Sequence, residues 1–444
     1  MAWLVVLVAL SVSLTTAVAQ SGVPEDCPKY NTVAVLKNKP SSEGKYALPY
    51  QRPEERCRTF AVREVDATIE EMKNEIEDPD LFRLFENTFP NTLDTTISWE
   101  GFAEEDPGEE TDFVVPRDNK TVVLECKYEL DSIAAFLQLS HDYFSQTGDI
   151  VFFRRRGWSD AVDVIMNTTS DLLKGTYAAD GTLNRSPFRF ERQTNKASET
   201  MPNQGAGSPV RSDTGLVRSF FRPSDDACMF QLFIPANMML ERHLSSCADI
   251  MEEVNGEAAV KMRGLAEVVT GGIEKYGRVE HGEFGEIYAF EVDGLGARIS
   301  CATDEGKDDA NIPSLLSAPM LGYLDRDDEV YQNTRRFVLS TLNPYFMFGP
   351  FLNATGGPHI GPGKAWPMGP IVQLLTSDDD DEIEMGIRQL LSSTDALGLM
   401  HESIDSHDQK KWTRSWFAWV NGLFGQMILD LRDRKPHLLR VSYQ

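Results

Sequence analysis

Phe220-Phe221-Arg222-Pro223-Ser224-Asp225-Asp226-Ala227 sets two adjacent carboxylates behind an arginine and a pair of phenylalanines. Glycoside hydrolysis needs two carboxyl groups, one protonated to assist the leaving oxygen and one ionised to activate water or attack. Paired aspartates beside an arginine are one way of separating their pKa values. The plainer reading makes Asp225 or Asp226 the N-cap of a helix starting near Ala227, because aspartate is a preferred cap. Three further clusters carry the same mixture of carboxylate, amide, cation and aromatic ring: Lys307 to Ser314, Leu399 to Ser403 and Thr413 to Asn421. Flat aromatic faces suit the C–H surfaces of a sugar, and amides and charged groups suit its hydroxyls. Taken singly, Asp308 and Asp309 also read as helix caps, Glu402 as a solvated glutamate, and Trp416 and Trp419 as core residues at helical spacing.

Around these clusters the chain is dominated by helical periodicity. Ile133, Phe136, Leu137, Ser140 and Phe144 share one helix face, and Ile383, Ile387, Leu390 and Leu391 share another. Short strands are expected at Thr121–Leu124 and across Glu286–Val292. The polar run from Ser186 to Gly215, rich in Gly, Pro, Ser, Asn and Arg, reads as a long functional loop. The acidic run Asp378 to Glu382 reads as a solvated helix start.

The 444 residues are 41% hydrophobic and 25% charged, enough for a large folded core. With 43 basic against 69 acidic residues the formal charge is −26, which repels phosphate backbones and argues against a nucleic-acid partner. No H-E-x-x-H, P-loop or G-x-S-x-G is present and the histidines show no ligand spacing, so no metal and no cofactor is expected. Six scattered cysteines without a C-x-x-C allow one to three bridges. Trp3 to Leu10 followed by Ala17-Val18-Ala19 reads as a signal peptide over residues 1–19, placing the mature chain in the secretory lumen or outside the cell, with no membrane partner after cleavage. N-x-S/T acceptors at Asn119, Asn167, Asn184 and Asn353 agree with export. The sequence sets no oligomeric state.

The order of the clusters resembles glycoside hydrolase family 125. The matching blocks are T-F-P-N-T-L-D-T-T (Thr88 to Thr96), E-C-K-Y-E-L-D-S (Glu125 to Ser132), R-P-S-D-D-A (Arg222 to Ala227), I-P-A-N-M (Ile234 to Met238), E-V-D-G (Glu291 to Gly294), D-D-A-N-I-P-S-L-L-S (Asp308 to Ser317), N-T-R-R (Asn333 to Arg336), N-P-Y-F (Asn343 to Phe346), G-L-M-H-E-S (Gly398 to Ser403) and W-F-A-W-V-N (Trp416 to Asn421). They span the chain from about Phe60 to its end.

The resemblance implies an all-α, (α/α)6-barrel domain over 60–444 behind an N-terminal extension at 20–59. It also implies a metal-independent, inverting exo-α-1,6-mannosidase acting on an α-mannoside oligosaccharide or glycoprotein glycan. By motif, the general acid is Asp225 or Asp226, with the reading leaning to Asp225, and the general base is Glu402. Arg222, Asp308, Asp309, Asn311 and His401 are the implied hydroxyl binders, and Trp366 or Trp416 the implied sugar platform. Asn237, Asn421 and Asp94 are weaker candidates, since buried polar residues often serve turns. Inversion places the two carboxyl groups roughly 6.5 to 9.5 Å apart.

Two departures from the family pattern stand out. Only Ile97 to Leu124 separate the first two blocks, where family members carry a long segment with a W-L-R-D-S motif that occurs nowhere here. Extra residues around Ser300 to Gly306 also precede the D-D-A-N block, with Lys307 in place of a Met. The barrel is therefore expected to lack several helices and to leave apolar helix faces uncovered.

Overall fold

The computed structural model describes residues 18–19, 39–58, 60–92, 112–117, 126–155, 157–299 and 308–444. The strand expected at Thr121–Leu124, Asp94, Asn119 and the insertion around Ser300 to Gly306 lie outside them. The main helices are α1 (Arg63–Glu75), α2 (Pro79–Thr88), α3 (Leu130–Thr147), α4 (Ile150–Arg155), α5 (Trp158–Leu172), α6 (Ile234–Glu252), α7 (Gly256–Gly272), α8 (Glu329–Val338), α9 (Met368–Leu375), α10 (Asp380–Ser392) and α11 (Ala418–Arg434). Strands are short, two to five residues each, and pair in small sheets of two or three strands. The chain divides into two compact units. The first comprises Met1–Glu105, Met347–Gly356 and Pro362–Gln444; the second comprises Asp106–Phe346 and Gly357–Gly361.

In the first unit, caps set the helix starts. Asp78 accepts from the Asp80 and Leu81 amides and Pro79 opens α2, where its missing N–H costs nothing. Asp379 accepts from the Asp381 and Glu382 amides, so the acidic run is the helix start expected from the sequence. Ile383, Ile387, Leu390 and Leu391 of α10 are all buried, as their spacing requires. The apolar run after Trp416 becomes α11, which packs on α2 and α9. No helix among the described residues is long and apolar enough to cross a membrane.

In the second unit, α6 packs against both α3 and α7 and is buried on almost every face. The buried stripe of α3 is Leu130, Ala134, Leu137, Gln138 and Ser140, while Phe136 is exposed and Ile133 half-buried. The helix is thus rolled away from the face expected at Ile133 and Phe136, because α6 contacts the next stripe round. Phe136 and Leu139 on α3, Val151 and Phe152 on α4 and Val164 on α5 are exposed large apolar residues. These helices follow the shortened Ile97–Leu124 interval, and their uncovered faces match the expectation for a barrel short of neighbours.

The strand expected across Glu286–Val292 is two strands. Gly285–Tyr288 pairs with Arg278–His281, and Glu291–Val292 pairs with Leu232–Phe233. Between them the Ala289 amide donates to Gly277 O at 2.7 Å and Phe290 O accepts from the Ile234 amide at 3.0 Å, which moves the chain from one sheet partner to the other.

Candidate active site

The Arg222–Ala227 segment is a tight turn and not a helix start. Phe221 and Ala227 form an antiparallel bridge, the Arg222 amide donates to Asp226 O at 2.8 Å, and the Asp225 amide donates to Arg222 O at 2.9 Å. The next helix begins at Ile234, so the capping role expected for Asp225 or Asp226 is overturned. The turn stands on a fixed base. The Phe220 and Phe221 amides both donate to Tyr128 O, and Ser219 Oγ accepts from the Leu130 amide at 2.9 Å, which brings the Glu125–Ser132 block beside the turn.

The two aspartates therefore occupy different surroundings. Asp225 is exposed and has a φ of 64°, a left-handed conformation that a non-glycine residue holds only when its surroundings impose it. Asp226 is 2% exposed; its Oδ2 accepts from Ser224 Oγ at 3.2 Å and its Oδ1 lies 3.7 Å from His359 Nδ1. Glu129 is pushed up to about 9 by burial and by the charges of Asp131 and Asp225. Asp131 rises to about 7, mainly through burial and further through Asp225, and its buried Oδ1 has no hydrogen-bond partner. Burial thus keeps Glu129 and Asp131 hard to ionise beside the exposed Asp225 carboxyl.

Arg222 is buried as part of an ion pair. Its Nε donates to Glu291 Oε1 at 2.5 Å with the two side chains 2% and 0% exposed, and Glu291 Oε2 accepts from the Phe230 amide at 2.9 Å. Burial works against the guanidinium charge, and Glu291 more than reverses it. Arg222 Nη2 is buried without a partner. Its Nε is thus committed to the protein, and the hydroxyl contact expected of it falls to the two terminal nitrogens.

Asp309 Oδ1 accepts from the Asn311 amide at 3.0 Å and from Asn311 Nδ2 at 2.9 Å, while Oδ2 is buried without a partner. A Cβ on Gly357 would lie 3.0 Å from Asp309 Oδ1, so glycine there lets the backbone approach the carboxyl. Burial raises the Asp309 pKa against those hydrogen bonds and the pull of Arg222. Asp308 is spent on the backbone beside it. Its oxygens accept from the Leu315 and Leu316 amides at 3.0 and 3.3 Å, fixing a run of turns where the sequence suggested a helix cap. Burial pushes it up to about 7.

The first unit carries Glu402, which is 6% exposed and lies 3.1 Å from Arg414 Nε, so it is no ordinary solvated glutamate. Its loop is held by Asn421. The Met400 amide donates to Asn421 Oδ1 at 3.0 Å, and Asn421 Nδ2 donates to Met400 O at 2.9 Å and Phe417 O at 2.6 Å. Asn237 plays the same part in the second unit, bridging the backbone at Val217 and Phe233. His401 is fully buried and stacked on Trp412 at 4.9 Å, and its Nδ1 donates to Arg414 O at 2.8 Å. Burial pulls its pKa down to about 4, so it is neutral; Nδ1 orients the Arg414 loop, and Nε2 is buried without a partner, which leaves it for the hydroxyl contact expected of it.

Trp366 is buried edge-on to Phe417, which takes its ring out of the role of open platform. Trp416 is half-buried ahead of α11, packed on Leu397 and Leu399. Trp419, expected in the core, is 62% exposed with its ring 5.4 Å from Phe417. Among the described residues no group of three His, Cys, Asp or Glu could hold a metal ion.

A profile of the metal-independent α-mannosidases, GH125, matches residues 78–118 and 102–429. The chain belongs to the GH125 family. Its match comes in two pieces that overlap at residues 102–118, inside the shortened interval between the first two sequence blocks. The meiotically up-regulated gene 157 protein of Schizosaccharomyces pombe is 39% identical over 490 residues, covering 94% of each chain. That alignment is longer than this chain of 444 residues, so the relative has residues within it that face none here. A metal-independent α-mannosidase of Streptococcus pneumoniae, solved in a non-productive complex with α-1,6-mannobiose, is 34% identical, with a TM-score of 0.66 over 73% of this chain and 72% of its own. The chain is thus a GH125 glycosidase of the α-mannosidase class with the all-α, (α/α)6-barrel fold, short of an internal segment.

Sequence reasoning overlooked Glu129, Asp131, Glu291, Tyr345 and His359. The first three lie inside quoted blocks, where their burial left no mark. Tyr345, whose phenol is raised by burial and acted on by Arg222, Asp226 and Asp309, comes from the N-P-Y-F block, and His359 carries no local motif at all.

Proposed function

We propose that this chain is an inverting exo-α-1,6-mannosidase of the secretory lumen or cell exterior, acting on mannan or N-glycan termini. The observation that carries the proposal is the Asp225 turn, which presents one carboxyl to solvent beside the half-buried Glu129 and the buried Asp131, both with raised pKa values. Asp225 is the general acid and gives its proton to the glycosidic oxygen as the C1–O bond breaks. Asp226, held by Ser224 and His359, braces the turn. Glu402 is the general base and takes a proton from the water that attacks C1 on the opposite face, so mannose leaves as the β anomer. The pneumococcal relative's α-1,6-mannobiose complex supports the linkage, and the leader at residues 1–19 with a disulfide-bonded Cys57 supports the compartment.

The test is mannose release from α-1,6-mannobiose by the purified chain starting at Gln20, with the product anomer read by proton NMR. Glu402→Gln and Asp225→Asn should each lose at least about a hundredfold in kcat. Near wild-type turnover in either variant would remove that residue from its role, and α-mannose as first product would remove inversion. A second reading, an inactive mannoside-binding protein, draws on the missing internal segment; mannobiose binding without turnover by a folded chain would favour it.

A further inference from the structure

In a chain of net charge −26, one region of the second unit gathers three arginines that meet no carboxylate. Arg185, Arg189 and Arg218 line a pocket of about 570 Å³ formed largely by the loop between Thr176 and Pro209. Arg218 is the deepest, at 6% exposure. Its Nε and Nη2 donate to Gln231 Oε1 at 3.1 and 2.5 Å, its Nη2 also donates to Ala206 O at 3.0 Å, and its guanidinium lies 5.1 Å from the Phe220 ring. Every one of these partners is neutral. Burial alone pulls its pKa down to about 10, with no acidic group acting on it. Arg189 donates to Gln204 Oε1 at 3.2 Å and lies over Phe113, again without a counter-charge. Arg185 is exposed and makes no hydrogen bond or ion pair among the described residues. Of the neighbouring acids, Asp112 pairs with Arg192 and Glu199 with Lys196, while Glu191, two residues along the strand from Arg189, makes no ion pair with it among the described residues.

A buried charge in a protein is normally paired, so a buried guanidinium bordering an open pocket marks a place for an anion. The loop is built to hold that arrangement. Asn203, Gln204, Gly205 and Gly207 all have positive φ, and a Cβ on Gly207 would fall 2.0 Å from Gln231 Nε2, the amide that seats Arg218. Left-handed non-glycine residues in succession persist only where the surrounding structure holds them, as Asn203 Nδ2 does by donating to Gly207 O at 2.8 Å. The size is that of a sugar-bearing ligand and well above a bare ion. Tyr177 and Leu183, both exposed on the pocket wall, offer apolar surface for a ring.

We propose that this pocket binds a phosphomonoester carried on a hexose, with Arg218 at its floor, Arg189 on its wall and Arg185 at its rim. Three guanidiniums offer forked donors that suit a dianion better than a single carboxylate. The site uses neither Asp225 nor Glu402, so it stands or falls independently of the hydrolytic reading. It would let the chain recognise a phosphorylated glycan apart from cleaving one.

The experiment is calorimetric titration of the full mature chain with mannose 6-phosphate, inorganic phosphate, glucuronate and mannose, at low salt and pH 7. Mannose 6-phosphate should bind at least about tenfold more tightly than the other three. Arg185→Gln and Arg189→Gln should each weaken it by about tenfold, the loss expected for one charge-assisted pair. Both positions lie at or near the surface, so these variants test the site even if Arg218→Gln fails to fold. No heat from mannose 6-phosphate, or an affinity unchanged in both variants, would overturn the proposal. Equal binding of inorganic phosphate would overturn the sugar contact, and tighter binding of glucuronate would overturn the phosphate assignment.

Discussion

Glu291→Gln tests the buried ion pair beneath the Asp225 turn. In the native chain Glu291 accepts on both oxygens, from Arg222 Nε at 2.5 Å and from the Phe230 amide at 2.9 Å, and both side chains are sealed from water. A glutamine can satisfy one of these donors with its oxygen but must aim its NH2 at the other. It also leaves the Arg222 charge unpaired in the interior apart from the more distant influence of Asp309. Removing one partner of a buried pair costs about 3–5 kcal/mol, most of it the uncompensated charge. With a urea m-value near 3 kcal/mol/M, the unfolding midpoint should fall by about 1–2 M, followed by far-UV circular dichroism on the full chain. Replacing both residues, as Arg222→Met with Glu291→Met, should cost less than the sum of the single changes by about 2 kcal/mol, since no orphan charge remains. A single-variant loss below about 1 kcal/mol, or strict additivity in the double, would refute the reasoning.

Asp308 predicts a pH dependence of stability. Its folded pKa of about 7 lies above the unfolded carboxyl value of about 3.9, so its contribution is fully present below pH 4 and is lost as pH rises towards 7. Asp308→Asn should therefore gain stability relative to wild type between pH 4 and 7; a constant difference across that window in urea midpoints would count against it. Asn421→Ala strands the Met400 amide and two carbonyls and should cost about 2–3 kcal/mol together with most of the mannosidase activity, read by thermal melts and initial rates. Trp419→Ala removes an exposed ring; stability should stay within about 0.5 kcal/mol in thermal melts, and a larger loss would mean that the ring packs as the core residue its spacing suggested.

Much of the architecture was legible because helical spacing reports burial directly. Ile383, Ile387, Leu390 and Leu391 went inward as read, and Asp379 capped α10 as an acidic run before an apolar stripe should. The reading failed where a neighbour chose between alternatives. α3 carries apolar residues on two adjacent stripes, and contact with α6 buried Leu130, Ala134 and Leu137 while leaving Phe136 outside. Asp225 and Asp308 have the residue type of a helix cap, yet the backbone turns sharply at both, and a capping preference cannot distinguish a helix from a turn that uses the same Asp oxygens.

The sequence by itself determined the family, the helical class and the carboxylate-bearing blocks, because block order and apolar period are properties of the chain read in line. Tertiary structure alone decided which of two adjacent aspartates faces solvent, that Glu129 and Asp131 gather beside it, and that Arg222 is spent on Glu291 while Arg218 is left without a counter-charge. Those outcomes depend on burial and on neighbours remote in sequence, and desolvation, the largest force on a buried charge, does not exist until the chain has closed around it.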